Sequence, residues 1–290
     1  MDRISKPQRT REIIEKNAFS LKKKYGQNFL INQNILENII SGAELDPEDV
    51  VIEIGPGIGS LTQYIAEQVD QVVAIEIDKT LIPILEETLA EYGNVHIINE
   101  DILKVDLKAM IDQQYPNRKI KIVANLPYYI TTPIIMKIFE EHIPVDSITI
   151  MIQEEVADRM QASPSTKEYG ALSLAVQYYS HPKVLVKVPP SSFVPQPKVG
   201  SSVIRLEVND HYKKQTEDDE FLFKLIRGAF QQRRKTLVNT LAHQPGIDIS
   251  KEEIRQALEK IGVSEKIRGE ALSLEQFIEL AKELRKAEKS

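Results

Sequence analysis

Val50-Val51-Ile52-Glu53-Ile54-Gly55-Pro56-Gly57-Ile58-Gly59 decides how the rest of the chain is read. A β-branched run enters a glycine turn, and Leu61, Ile65 and Val69 then recur at helical intervals, so the stretch reads as strand, turn, helix. The same alternation continues. Residues 71–77 form a buried-strand pattern ending in Glu76-Ile77-Asp78, followed by a helix carrying Leu81, Ile82, Leu85 and Leu89. Residues 94–99 read as a strand closed by Glu100-Asp101, 107–114 as a short helix, and 119–124 as the next strand. Thr132 and Pro133 suit the cap and first position of a helix bearing Ile134, Ile135, Ile138 and Phe139, and 147–152 and 154–160 repeat strand and helix. Such alternation predicts a parallel sheet covered on both faces. Ligands bind beyond the carboxyl ends of strands in such sheets, so the turns at 55–59, 76–78, 100–101 and 125–128 are expected to converge on one crevice.

Outward from this core, residues 10–17 have helical spacing, and Lys24-Tyr25-Gly26-Gln27-Asn28-Phe29-Leu30 reads as a loop. Ile35, Leu36, Ile39 and Ile40 then mark a helix ending near Gly42. Beyond the fifth strand, 163–167 has loop composition, and 171–179 is a buried element whose type the pattern leaves open. Residues 184–188 and 202–208 read as two further strands, the latter an antiparallel addition at the edge; between them Phe193-Val194-Pro195-Gln196-Pro197-Lys198-Val199 is stiffened by its prolines. A polar linker at 209–220 precedes helical patterns at 221–230, 236–241, 252–261 and 274–284. The expected division is 1–208 and a small all-α domain at 209–290.

At 290 residues the chain is long enough for a large and a small domain. It has no cysteine, which excludes disulfides, thiolate metal sites and a cysteine nucleophile. Its five histidines lack metal-ligand spacing, so no metal is expected. No run is apolar enough for a bilayer span, and the first twenty residues hold no apolar block, so a cytoplasmic protein is expected. The formal charge of −6 gives no sign of a polyanionic partner, yet Lys22-Lys23-Lys24 and Arg233-Arg234-Lys235 are local basic clusters, suited to phosphate contact or to a solvated helix face.

A glycine turn after the first strand and an acid, Glu76, closing the second fit either a dinucleotide or S-adenosylmethionine, with Glu76 on the ribose in both cases. Here the glycines run Gly55-x-Gly57-x-Gly59 with Ser60 next, not the Gly-x-Gly-x-x-Gly of dinucleotide sites. Glu53 beside the turn repels a pyrophosphate and suits a sulfonium with an amino-acid tail. Asp101 can accept from the cofactor's adenine amine or cap its own turn. Asn125-Leu126-Pro127-Tyr128-Tyr129 ends the fourth strand. The Asn125 side-chain oxygen and the Leu126 carbonyl, held extended by Pro127, are two acceptors that can localise the lone pair of a nucleobase amine, with Tyr128 as a stacking face. The alternative is a proline turn with packed tyrosines.

With the glycine turn, the acids and the Asn-Leu-Pro-Tyr stretch in this order, the chain resembles the class I S-adenosylmethionine-dependent methyltransferases that act on adenine amines. More narrowly it resembles the ribosomal RNA adenine dimethyltransferase family, in its bacterial small-subunit branch. The likeness extends to Gly26–Leu30, to Phe193–Ser201, to Phe230–Leu237 and to Arg268-Gly269-Glu270-Ala271-Leu272-Ser273. It implies a Rossmann-like α/β fold with a seven-stranded, mostly parallel sheet and a small all-α C-terminal domain. Gln27, Asn28, Leu30, Glu53, Gly55, Gly57, Glu76, Ile77, Asp101, Ile102 and Asn125 are then expected around S-adenosylmethionine. Asn125, Leu126, Pro127, Tyr128 and Phe193 are expected at the target adenine, with Tyr128 and Phe193 as a sandwich. Lys22, Lys23, Lys24, Lys198, Arg233, Arg234 and Lys235 are expected on RNA. The implied partner is 16S rRNA within an immature small ribosomal subunit, met by a monomer without metal or membrane. The rivals are a large-subunit (23S) dimethyltransferase of the macrolide-resistance type, a DNA adenine methyltransferase, and a ribosome-assembly binding factor. Tyr129 stands where the family often has Asn, which leaves its role open.

Overall fold

The computed structural model describes residues 3–16, 28–245 and 247–288. Its strands are Phe29–Leu30 (β1), Val50–Ile54 (β2), Gln71–Glu76 (β3), Val95–Asn99 (β4), Ile120–Asn125 (β5), Ser147–Gln153 (β6), Ser180–Val188 (β7), Phe193–Val194 (β8) and Ser201–Val208 (β9). Seven of them form one sheet in the order β4-β3-β2-β5-β6-β9-β7. From β4 to β6 every pairing is parallel, as the alternation predicts. Register is fixed by burial: every residue of β2 is buried, with Ile52 between Val73 on one side and Ile122 on the other. The parallel order reverses direction between β2–β3 and β5, which makes the carboxyl end of β2 the switch point.

The helices covering this sheet include Pro7–Lys16 (α1), Gln33–Ala43 (α2), Ser60–Ala66 (α3), Ile82–Thr88 (α4), Leu107–Gln114 (α5) and Thr131–Glu140 (α6). Among the turns that launch them, the glycine turn is the most constrained. Gly57 and Gly59 have φ of 63° and 89°, a region that costs an L-residue strain. Space forbids a side chain as well, since a Cβ on Gly57 would come within 3.1 Å of the Phe29 ring and one on Gly59 within 3.1 Å of Leu89. α6 starts at Thr131, with Ile130 as its cap, so Thr132 does not cap it as expected. Below the sheet, at the strands' amino ends, Lys121 pairs with Asp49 at 2.7 Å, both buried, and Lys121 Nζ also donates to the Glu44 carbonyl.

β9 pairs antiparallel with β6, as expected, but it is not an edge. It lies between β6 and β7, and five of its eight residues are buried, whereas β7 is buried only at its two end residues, Ser180 and Val188, and is the edge strand. The element at 171–179 is a helix, Ala171–Tyr179. β1 and β8 form a separate two-stranded antiparallel sheet, Phe29 opposite Val194 and Leu30 opposite Phe193, joining two stretches that are far apart in the chain.

The chain divides into two compact units, Met1–Ala157 with Lys183–Val208, and Asp158–Pro182 with Asn209–Ser290. They differ from the expected 1–208 and 209–290 in one segment, 158–182, and the reason is aromatic packing. Tyr178 meets Phe223 edge-on at 5.1 Å, Tyr179 stacks on Phe223 at 5.7 Å, and Tyr169 meets Phe230 at 5.9 Å. The rest of the second unit is helical, with Asp219–Ala229, Leu237–Leu241, Lys251–Lys260 and Leu274–Glu288 as its main elements. Among the described residues, no helix is long and apolar enough to cross a membrane.

Candidate functional site

The carboxyl ends of β2, β3, β4 and β5 open on one cleft in the first unit, with about 1090 Å³ of free space, its mouth included. Asn28, Leu30, Glu53, Gly55, Gly57, Glu76, Ile77, Asp101, Ile102, Asn125, Leu126, Pro127, Tyr128 and Phe193 all line it. The four turns singled out in the sequence therefore do meet. Gln27 and Lys22–Lys24 lie outside the described residues.

Glu53 is the electrostatic centre of the cleft. It is the penultimate residue of the fully buried strand β2, at 1% exposure, and its Oε2 has no hydrogen-bond partner. Burial pushes its pKa up to about 8; the Thr62 hydroxyl opposes the rise and the charge of Glu76 adds to it. A buried carboxyl with an orphaned oxygen, facing a cleft, is poised for a cation that supplies the missing partner. Glu76 is held differently: its carboxylate accepts the Asp78 N–H on Oε1 at 2.8 Å and the Gly57 N–H on Oε2 at 3.2 Å. Burial raises its pKa while those N–H donors oppose the rise. Since a carboxylate has about four lone-pair sites, acceptor capacity is left for a diol. Asp101 uses Oδ1 to accept the Leu103 N–H at 3.0 Å, so it does cap its own turn with one oxygen. Ile77 presents apolar surface at 42% exposure, and Ile102 is buried nearby in the lining.

At the other end of the cleft, Asn125 Nδ2 donates to the Asn28 carbonyl at 3.2 Å. The pairing of β1 with β8 puts Asn28 within reach, and the bond turns the Asn125 side-chain oxygen away from that carbonyl. The Leu126 N–H is taken by the Met151 carbonyl at 3.2 Å, and the Pro127 carbonyl accepts from Ile130 N–H at 3.2 Å and from the Thr131 hydroxyl at 3.3 Å. Among the described residues nothing donates to the Leu126 carbonyl. Tyr128 is half-buried, its hydroxyl 2.8 Å from Ser201 Oγ, and burial raises its pKa. Phe193 lines the same cleft at only 2% exposure, packed in the core cluster that contains Leu30, so Tyr128 offers the larger free face.

Sequence reasoning missed Ser60 and Glu100 in the lining. Ser60 begins α3 with a buried hydroxyl that has no partner, and its place directly after Gly59 was the available signal. Glu100 accepts the Asp101 N–H on Oε1 at 2.8 Å. The basic residues are dispersed. Lys198 is exposed in the loop before β9. In the second unit Arg233 gives Nε to Glu270 and its two terminal nitrogens to the Lys167 and Tyr169 carbonyls, each at 3.1 Å, while Arg234 and Lys235 are exposed. Among the described residues, no group of three or more His, Asp or Glu side chains is arranged to hold a metal ion.

A switch-point cleft with a glycine turn, acids at two successive strand ends and an Asn-Leu-Pro-Tyr corner defines a class I methyltransferase of the Rossmann-like type. The family model described as ribosomal RNA adenine dimethylase matches residues 18–286, and the chain belongs to that family. It is 57% identical to ribosomal RNA small subunit methyltransferase A of Alkaliphilus oremlandii, over 99% of both chains. It is 49% identical to the protein of that name from Clostridioides difficile, over 96% of this chain and 95% of the other. Among solved structures it is similar to a dimethyladenosine transferase from Plasmodium falciparum, with TM-score 0.74 and 28% identity over 89% of this chain and 98% of that one. It is also similar to the 23S rRNA methyltransferase ErmE, with TM-score 0.67 and 26% identity over 89% of this chain and all of the other.

Proposed function

We propose that the protein transfers methyl groups from S-adenosylmethionine to the N6 amines of two adjacent adenosines in the 3′-terminal hairpin loop of 16S rRNA, giving N6,N6-dimethyladenosine within an immature small ribosomal subunit. The observation that carries this reading is the Asn125 amide, whose nitrogen donates to the Asn28 carbonyl and whose oxygen is thereby kept as an acceptor beside the Leu126 carbonyl. Near-full-length relatives at 49–57% identity, named as small-subunit enzymes, favour 16S over 23S rRNA; the 23S enzyme is 26% identical.

The residues fit the cofactor. The orphaned Glu53 oxygen suits the ammonium of the amino-acid tail, Glu76 the ribose hydroxyls, and Asp101 the adenine amine, with Ile77 and Ile102 against the adenine ring. When bound, S-adenosylmethionine supplies an electrophilic methyl that the N6 amine takes in a direct displacement, releasing S-adenosylhomocysteine. Asn125 Oδ1 and the Leu126 carbonyl accept hydrogen bonds from the target amine and localise its lone pair. Both acceptors are neutral, so when one N–H has already become N–CH3 no buried charge is stranded, and the remaining N–H is accepted by one of the two. Tyr128 holds the base by stacking, worth about 1–3 kcal/mol, and Phe193 backs the pocket. No strong base is required, because the amine becomes acidic as it gains the methyl, and water accepts the proton. Catalysis thus rests on positioning and on polar groups fixed before the reaction. Arg234 and Lys235, with Lys198 and Lys22–Lys24, contact RNA phosphates, while Arg233 is held by Glu270 and the Lys167 and Tyr169 carbonyls, and the protein acts as a monomer.

The test offers labelled S-adenosylmethionine with undermethylated small subunits, large-subunit RNA and DNA. Dimethyladenosine in the small subunits alone is expected. Label in the large-subunit RNA alone overturns the substrate assignment.

A further inference from the structure

Tyr128 sits in a turn of irregular backbone between the end of β5 and the start of α6, where no ladder fixes its side chain. Its ring orientation is set from elsewhere. Ser201, the first residue of β9, lies opposite Gln153 of β6 and is 1% exposed. Its Oγ is 2.8 Å from the Tyr128 hydroxyl. The neighbouring Ser202 falls on the opposite face of the sheet by strand alternation, and its buried hydroxyl has no partner, so of the two serines Ser201 is the one that reaches Tyr128. The start of β9 is itself anchored. Glu154 donates its backbone N–H to the Gly200 carbonyl at 3.1 Å, its carboxylate pairs with Lys187, and a Cβ on Gly200 would come within 3.0 Å of that carboxylate.

We infer that Ser201 is a positioning residue for methyl transfer: through its hydrogen bond to the Tyr128 hydroxyl it holds the aromatic face against which the target adenine stacks. This rests on the reading of Tyr128 as that face. A stacking ring that is already oriented does not lose rotamer freedom when the base arrives, and the orientation sets where the N6 amine lies relative to Asn125. The bond also accounts for tyrosine at position 128, since stacking alone asks only for a ring. Burial of the phenol makes the partner more valuable, because a hydroxyl out of water is costly to leave unpaired. Ser201 touches neither base nor cofactor in this account and acts only through Tyr128.

The experiment is a double-mutant cycle. Ser201→Ala, Tyr128→Phe and the double variant are assayed for single-turnover methylation of undermethylated small subunits, with S-adenosylmethionine affinity measured alongside by calorimetry. Each single change removes one half of the same bond, so each is expected to slow transfer by about two- to tenfold, the range of one net hydrogen bond. The double variant is expected to be no slower than the slower single one, and Ser201→Thr, which keeps the hydroxyl, to restore most of the rate. Cofactor affinity stays unchanged throughout. Multiplying defects in the double variant, or parental rates in Ser201→Ala, overturn the inference. Tyr128→Ala separates this from the underlying reading: full activity there removes the stacking role itself, whereas a dead Tyr128→Ala beside a fully active Ser201→Ala removes only the role of Ser201.

Discussion

Replacing Glu53 with Gln tests whether a buried carboxyl has been reserved for a cationic ligand. In the free protein its pKa is held at about 8, so at pH 7 only about one molecule in ten carries the charge that an ammonium requires. Cofactor affinity should therefore rise by nearly tenfold per pH unit below 8, about 20- to 50-fold in all between pH 6 and pH 8, and then level off as the ligand's own ammonium, pKa about 8, loses its proton. Gln keeps the size and neutrality of the protonated acid but cannot ionise. It should bind S-adenosylmethionine at least tenfold more weakly at pH 8, a loss of about 1.4 kcal/mol or more. Glu76, raised by the same burial, titrates in the same direction and leaves the variant a shallower slope. Stability follows with a definite sign. Between the unfolded value of 4.5 and the folded value of about 8, the native state holds a proton that the unfolded chain has released. The Glu53 contribution to stability is thus fully present below pH 4.5 and is lost as pH rises through 8, at about 1.4 kcal/mol per unit, and the Gln variant lacks this decline. Isothermal titration across the pH range, with urea melts of the apoprotein, measures both. A parent whose affinity is flat from pH 6 to 8, or a Gln variant with the parental slope, refutes the reasoning.

The basic cluster divides by what its members touch. Arg233→Ala should lower thermal stability by about 1–3 kcal/mol, because its guanidinium joins Glu270 to the Lys167 and Tyr169 carbonyls; an unchanged melting curve contradicts that role. Changing Arg234 and Lys235 together to Ala should leave the melt alone and reduce the salt slope of RNA binding by about 0.7 per charge, and an unchanged slope returns them to a solvated face. At the far end of the sheet, Lys121→Ala strands the buried Asp49 and should cost about 3–5 kcal/mol in urea unfolding; a loss under about 1 kcal/mol shows that water or a rearranged partner replaces the lysine.

The parallel core was legible because β-branched runs at 50–54 and 120–124 each led into a turn with a chemical signature, and strand-to-helix alternation leaves one sheet topology with its turns at one end. The β1–β8 pair was not: two residues per strand give no periodicity, and Phe29 finds Val194 only through the fold. The helix at 171–179 lacks a polar face, with six of its nine residues buried, so its period could not be told from that of a strand. The order of β9 and β7 did carry a signal. His181, Pro182 and Lys183 are the marks of an edge strand, whereas Val203, Ile204 and Leu206 are buried. Glu53, Glu76, Asp101 and Asn125 could be picked out because each stands at or within two residues of a strand's carboxyl end. Ser60 carried one signal, its place directly after Gly59, whereas Ser201 looked like an ordinary strand residue and only its 2.8 Å approach to the Tyr128 hydroxyl connects it to the site.

Asn125 gives the most direct test of methyl transfer in this cleft. Asn125→Ala removes the side-chain acceptor for the target amine while leaving Glu53, Glu76 and Asp101 in place. Methyl transfer to undermethylated small subunits, measured beside calorimetric binding of S-adenosylmethionine, should be lost while cofactor affinity stays within about tenfold of the parent, or about 1.4 kcal/mol. Normal turnover by that variant would take Asn125 out of the mechanism and contradict the account.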